Sequence, residues 1–283
     1  MDIPLLVVVV DLFPSPANSV AAKGKLDSGT VERILNQLLV FINAHLALRF
    51  DGRVAVVAAI AGRGSHLLLD SADLSNASTD IKNTGGMYKQ FKVVDDVLVQ
   101  KLQQLLDFDR DSEENYNKQS CLAGALSLSL SFINRVKRQH TDPASTIQAR
   151  ILTLSVSPDS PSEYIPIMNC IFAAKKDNVI IDVCRLLGND SVFLSQTASS
   201  TDGIFVKVSD VDNLITVLLH SFLPEPSIRK TLCLPGGTLT NYSASCFCHK
   251  QPCSIAYVCS VCLSIFCSRR DSCSTCGSSL TQQ

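Results

Sequence analysis

The side chains best suited to chemistry crowd one end of this 283-residue chain, where eight of its twelve cysteines lie between Cys246 and Cys276. Cys259-x2-Cys262 and Cys273-x2-Cys276 are separated by ten residues. A CxxC turn points two thiolates at one ion, and two such turns complete a tetrahedron of Zn–S bonds about 2.3 Å long. The spacing predicts a zinc ion held by Cys259, Cys262, Cys273 and Cys276, with disulfides or free thiols as the alternative. Four sulfurs fill the shell, so the ion would be structural and leave no position for a substrate. The 38 residues from Cys246 onward are too few to fold on apolar burial alone. Metal binding would add on the order of 10 kcal/mol.

Cys246, Cys248, His249, Cys253 and Cys267 remain. The order CFCHKQPC, CSVC, Cys267, CSTC resembles a cross-braced arrangement, in which the first and third groups share one ion and the second and fourth another. Here the third group is Cys267 alone, because Arg270 cannot ligate. The first group would have to supply three ligands. A second zinc site and a degenerate half-site with packed thiols both stay open. Tyr257, Leu263, Ile265 and Phe266 stand among these ligands and are expected to form the module's small core, or else a face that docks on a neighbour.

The elements that must carry this module read as α/β. Ile3–Val10 is continuously apolar and β-branched, as expected of a strand buried on both faces. Val31, Ile34, Leu35, Leu38, Leu39, Ile42 and Leu46 fall at helical spacing behind a Ser28 or Thr30 cap. Arg53–Ile60 is a strand, with Leu67–Leu69 returning beside it. Residues 71–87 read as a loop, and 93–106 and 120–138 as helices. The second half alternates: strands at 150–156, 179–184 and 203–208, helices at 164–175, 191–199 and 211–222. This alternation predicts a doubly wound, mostly parallel sheet. The domains expected are an α/β body at 1–223, a linker at 224–245 and a zinc-binding module at 246–283.

Little in the body suggests catalysis. No GxGxxG, P-loop or GxSxG is present. Cys121, Cys170 and Cys184 sit in apolar stretches and read as core. His45 and His220 read as helix-packed or surface residues. The net charge of −1 does not point to nucleic acid or a membrane surface. The tail's three cations against one carboxylate are too thin a patch for strong DNA binding. The apolar start has no basic flank and is cut by Asp11 and Pro14, so a strand is expected there, not an export signal.

Taken together, VVVVD, RVAVVA, SCLAGALSLSLSFINR, YIPIMNCIFAAKKDNVIIDVC, FLPEPSIR and CFCH…YVCSVCLSIFC resemble one family. It is the smaller of two subunits of general transcription factor TFIIH that pair a von Willebrand A domain with zinc-binding cysteines. The resemblance covers nearly the whole chain. It implies a nuclear, non-enzymatic scaffold in RNA polymerase II transcription initiation and nucleotide excision repair. The implied partners are the larger von Willebrand A/RING-like subunit and other core subunits, including the helicases. A RING-type ubiquitin ligase on the same body is the alternative; it would need two full zinc sites. Von Willebrand A domains often hold a cation on a DxSxS motif. Here Asp11 and Ser15 match and Phe13 breaks the pattern. Ser120 and Asp159 are the nearest later hydroxyl and carboxylate, so magnesium is not expected to bind.

Overall fold

The structure is a computed structural model and describes residues 2–13, 28–74, 88–107, 121–142, 145–187, 190–234, 246–249, 253 and 255–280. Six strands form one sheet: β1 (Asp2–Phe13), β2 (Arg53–Ile60), β3 (Gly64–Asp70), β4 (Thr146–Ser155), β5 (Ile180–Leu186) and β6 (Phe205–Val208). Their spatial order is β3-β2-β1-β4-β5-β6. Every pairing is parallel except β2 with β3, the antiparallel return expected from Leu67–Leu69. This is the doubly wound von Willebrand A-like sheet that the alternating pattern and the resemblance implied.

Side-chain alternation along β1 explains the layers. Leu6, Val8, Val10 and Leu12 point to one face, where they meet α1 (Ser28–Leu48) through Ile34, Leu38 and Phe41. Also on this face are α3 (Lys89–Asp107), through Val94 and Leu98, and the last helical segment, through Leu214, Leu218 and Phe222. Leu5, Val7 and Val9 point to the other face, onto α4 (Leu122–Gln139) through Leu122, Leu126 and Ile133. There α5 (Tyr164–Lys176) and α6 (Val192–Ser200) add Cys170, Ala174, Leu194 and Ala198. A period of two turns one apolar run into two cores, and each fully buried Leu, Val or Phe contributes about 1.5–3 kcal/mol. His45, on the inner side of α1, is buried with neither ring nitrogen bonded. Burial, then the nearby charge of Arg150, bring its pKa down to about 4, so it packs as a neutral residue. His220 is exposed.

Three local differences from the sequence reading have physical causes. Ser71–Leu74, read as loop, makes one helical turn, labelled α2, in which Ser71 Oγ accepts the Val54 N–H. The segment 211–222 is not one regular helix: a tight turn leads into α7 (Leu214–Val217), and Leu218–Phe222 widens into a π turn. The expected linker begins as part of the body. α8 (Pro226–Arg229) is tied to the sheet because Arg229 reaches Asp182 with both guanidinium nitrogens at 2.7 Å. The Pro224 carbonyl also accepts from Arg150 at 2.8 Å and from Arg229 at 3.1 Å.

Candidate metal centre and the switch point of the sheet

The cysteine module is built on two small turns of like geometry. β7 (Tyr257–Val258) pairs antiparallel with β8 (Ile265–Phe266), and the first CxxC lies between them. Cys259 N–H donates to the Ser264 carbonyl at 2.9 Å, and Leu263 N–H donates to the Cys259 carbonyl at 2.9 Å. The second CxxC repeats this: Cys273 N–H to Ser278 O at 2.8 Å, and Gly277 N–H to Cys273 O at 2.9 Å. The residue after each CxxC has a positive φ, 59° at Leu263 and 73° at Gly277. Glycine suits that region; leucine is strained there by its Cβ.

These turns bring the four predicted sulfurs together. The Sγ atoms of Cys259, Cys262, Cys273 and Cys276 all lie within 4.8 Å of one another. Cys259 and Cys276 are 3.7 Å apart, and Cys262 and Cys273 are 3.5 Å apart. A tetrahedron with 2.3 Å bonds has edges of about 3.8 Å, so the residues present fit a metal ion of that geometry. Burial pushes the Cys259 thiol up, but Ser278 Oγ and the N–H groups of Cys262 and Val261 outweigh it and bring the pKa down to about 6. Cys259, Phe266 and Cys273 form the buried centre of the module, with Phe247 and Leu280 against it. Leu263 and Tyr257, expected in this core, are instead exposed at 64% and 49%.

Of the remaining candidates, Cys246, His249 and Cys267 converge, their donor atoms within 4.8 Å of one another. The order along the chain is therefore interleaved: Cys267 lies between the two CxxC turns yet joins the CFCH segment. Phe247 also carries the contact with the body. Its ring stands edge-on to Tyr164 at 4.6 Å and lies 5.6 Å from Phe193, at the starts of α5 and α6. Sequence reading overlooked Phe247, since an aromatic between two cysteines gives no local signal.

In an open sheet the ligand crevice lies where the strand order reverses, between β1 and β4 here. Asp11 is there, fully buried, and Val156 N–H donates to its backbone carbonyl. The hydroxyls of Ser155 and Ser157 each donate to its carboxylate at 2.7 Å. Arg185 Nη1 donates to Ser155 Oγ at 3.1 Å and to the Ser157 carbonyl at 2.7 Å. Burial pushes the Asp11 carboxyl up; the two serines and then the Arg185 charge oppose it. A guanidinium thus stands beside the carboxylate, linked to it through the Ser155 hydroxyl.

Of the companions named from the sequence, Ser15 and Ser120 lie outside the described residues, and the Asp159 charge acts on the same Arg185 that stands beside Asp11. Asp159 bonds the Ser191 hydroxyl and the N–H groups of Val192 and Phe193, which ties it to the start of α6. The usable signal was SVS at 155–157, where alternate residues present two hydroxyls to one side. Added Mg2+ is expected to leave the melting temperature unchanged in the native chain and in Asp11→Ala. A magnesium-dependent rise that the variant loses would mean that Asp11 binds the cation. Burial pushes the Cys184 thiol up to about 12 and raises that of Cys170, so neither of these two is poised as a nucleophile.

Similarity to known proteins agrees with this architecture. The Transcription factor Tfb4 family profile matches residues 3–277. The general transcription and DNA repair factor IIH subunit tfb4 of Schizosaccharomyces pombe is 37% identical, over 98% of this chain and 89% of its own length. The Arabidopsis thaliana TFB4 subunit is 36% identical, over 98% of this chain and 89% of its own. The crystal structure of the TFIIH p34 N-terminal domain superposes with a TM-score of 0.61 at 27% identity, covering 78% of this chain and 98% of that one. Because the match runs through both the sheet and the cysteine module, the chain belongs to the Transcription factor Tfb4 family.

Proposed function

We propose that this chain is a non-catalytic structural subunit of the TFIIH core complex. It acts in the nucleus in RNA polymerase II transcription initiation and nucleotide excision repair. The observation that carries this is the match of nearly the whole chain to relatives named as factor IIH subunits. Cys259, Cys262, Cys273 and Cys276 hold a structural Zn2+, since soft thiolates at tetrahedral edges suit that ion. The body runs through Arg229, because α8 is anchored in the sheet. The cysteine module begins at Cys246.

The partners are the larger von Willebrand A/RING-like subunit and other core subunits, including the helicases. The module is equipped to meet one of them: Ile255, Tyr257, Val258, Val261 and Leu263 are exposed on a unit with few residues to spare for a core of its own. Apolar side chains at this density suit a protein contact. Affinity purification of the full chain from nuclear extract at moderate salt is expected to recover the other TFIIH subunits; recovery of the chain without them overturns the proposal.

Leu263→Gly is a sharper test, because glycine fits the positive φ and the module keeps its fold. Binding of the full-length variant to the larger subunit should weaken roughly tenfold or more, as expected for losing a buried leucine, with bound metal unchanged. Unchanged affinity would place the contact elsewhere.

A further inference from the structure

The second group of donors carries an inference of its own. His249 Nδ1 lies 3.3 Å from Cys267 Sγ and 3.8 Å from Cys246 Sγ. In a tetrahedral zinc site with bonds of about 2.3 Å to sulfur and 2.0–2.1 Å to nitrogen, a sulfur–nitrogen edge is about 3.6 Å, and the two distances bracket it. Cys248 stands on the same short turn, between Cys246 and His249 in the chain, and is the thiol at hand for the fourth position.

The backbone supports the arrangement as it does at the four-cysteine cluster. His249 N–H donates to Cys246 Sγ at 3.4 Å, and Thr275 N–H donates to Cys273 Sγ at the same 3.4 Å. Phe247 N–H donates to the Ile265 carbonyl at 2.8 Å, which lays the CFCH segment beside β8, two residues before Cys267. Thiols that merely filled space would turn toward apolar neighbours. Cys267 is exposed and still faces an imidazole nitrogen.

We propose that Cys246, Cys248, His249 and Cys267 form a second, structural zinc site, three thiolates and one imidazole on a single ion. Its donors are separate from those of the four-cysteine cluster, so the second site can be emptied while the first stays filled. With both filled, the order of ligands is cross-braced: the CFCH segment and Cys267 share one ion, and the two CxxC turns share the other. Cross-bracing ties each ion to segments on both sides of its neighbour. The second ion also holds Phe247 in place against Tyr164 and Phe193, so it fixes the module on the body.

The test is a metal count on the full chain, expressed with zinc, purified reduced and weighed by native mass spectrometry. Two zinc ions per chain are expected, falling to one in Cys267→Ser and in His249→Ala. His249→Cys should restore the second. Cys248→Ser should lose one ion, and Cys253→Ser should keep both. Cobalt in place of zinc gives an independent reading, since exchanging the imidazole for a thiolate in His249→Cys should shift the visible bands. One ion in the native chain, unchanged in Cys267→Ser, overturns the second site and leaves the first standing. Two ions retained in both Cys267→Ser and His249→Ala overturn it as well. Loss of an ion in Cys253→Ser but not in Cys248→Ser overturns the assignment of Cys248.

Discussion

Replacing Cys259 with serine is expected to release the ion from the four-cysteine cluster, unfold the cysteine module and leave the sheet standing. Cys259 is fully buried, and its sulfur is one corner of the group, 3.7 Å from Cys276. A serine oxygen is a poor ligand for this ion and too short to reach it. Metal binding is worth about 10–16 kcal/mol in small zinc modules, and losing one of four thiolates forfeits much of it. Among the described residues the apolar centre of the module is small: Cys259, Phe266 and Cys273, two of them ligands, with Phe247 and Leu280 against it.

The body does not depend on the ion. Among the described residues, the fully buried members of its two large cores end at Phe222, and Phe247 of the module contacts Tyr164 and Phe193. Limited proteolysis with mass mapping should therefore cut the variant after residue 245 and spare the sheet. Melting of the body should be little changed. Cooperative collapse of the body together with the tail would show that the two are one folding unit.

Asp182→Ala should be the most damaging change in the body. Asp182 is fully buried and pairs with Arg229 through both carboxylate oxygens at 2.7 Å. Its Oδ1 also accepts the Ile204 N–H at 3.0 Å, and Arg150 Nε stands 3.8 Å away. Both arginines are nearly enclosed, and burial first of all brings Arg150 down to about 10. Removing the carboxylate leaves two buried guanidiniums facing each other, at a cost of about 3–5 kcal/mol. In a domain this large that is a fall in melting temperature on the order of 10 °C.

A double variant, Asp182→Ala with Arg229→Met, removes both partners of the closest pair and should be milder than Asp182→Ala alone. Equal or greater damage in the double variant would mean that α8 holds the sheet by packing and that the ion pair contributes little.

How much of this was legible beforehand depends on how far apart in the chain the interacting groups lie. Each CxxC turn is a local structure, so Cys259, Cys262, Cys273 and Cys276 could be paired by spacing alone. The strands announced themselves by continuous β-branched runs, and β2 starts and ends at the predicted residues. Chain ends of elements were less visible: α8 looked like linker because Pro224, Pro226, Pro235 and Gly236-Gly237 punctuate the stretch, and its partner 47 residues away shows why it is anchored. The companions of Asp11 were only partly visible for the same reason. Sequence order offered Ser15 and Asp159, and it took the parallel pairing of β1 with β4 to set Asp11 opposite Ser155 across 144 residues.

By itself, then, the amino-acid order determined the class of fold and the four sulfurs that group together, because hydrophobic period and knuckle spacing act within a few residues; the family resemblance rested on whole motifs such as YIPIMNCIFAAKKDNVIIDVC. Tertiary structure alone decided that Arg185 stands beside Asp11, that Arg229 closes on Asp182, that Cys267 meets His249 and that Leu263 faces outward. Each of those depends on which strand or turn lies next to which, and that is settled only when distant segments share one core or one set of backbone hydrogen bonds.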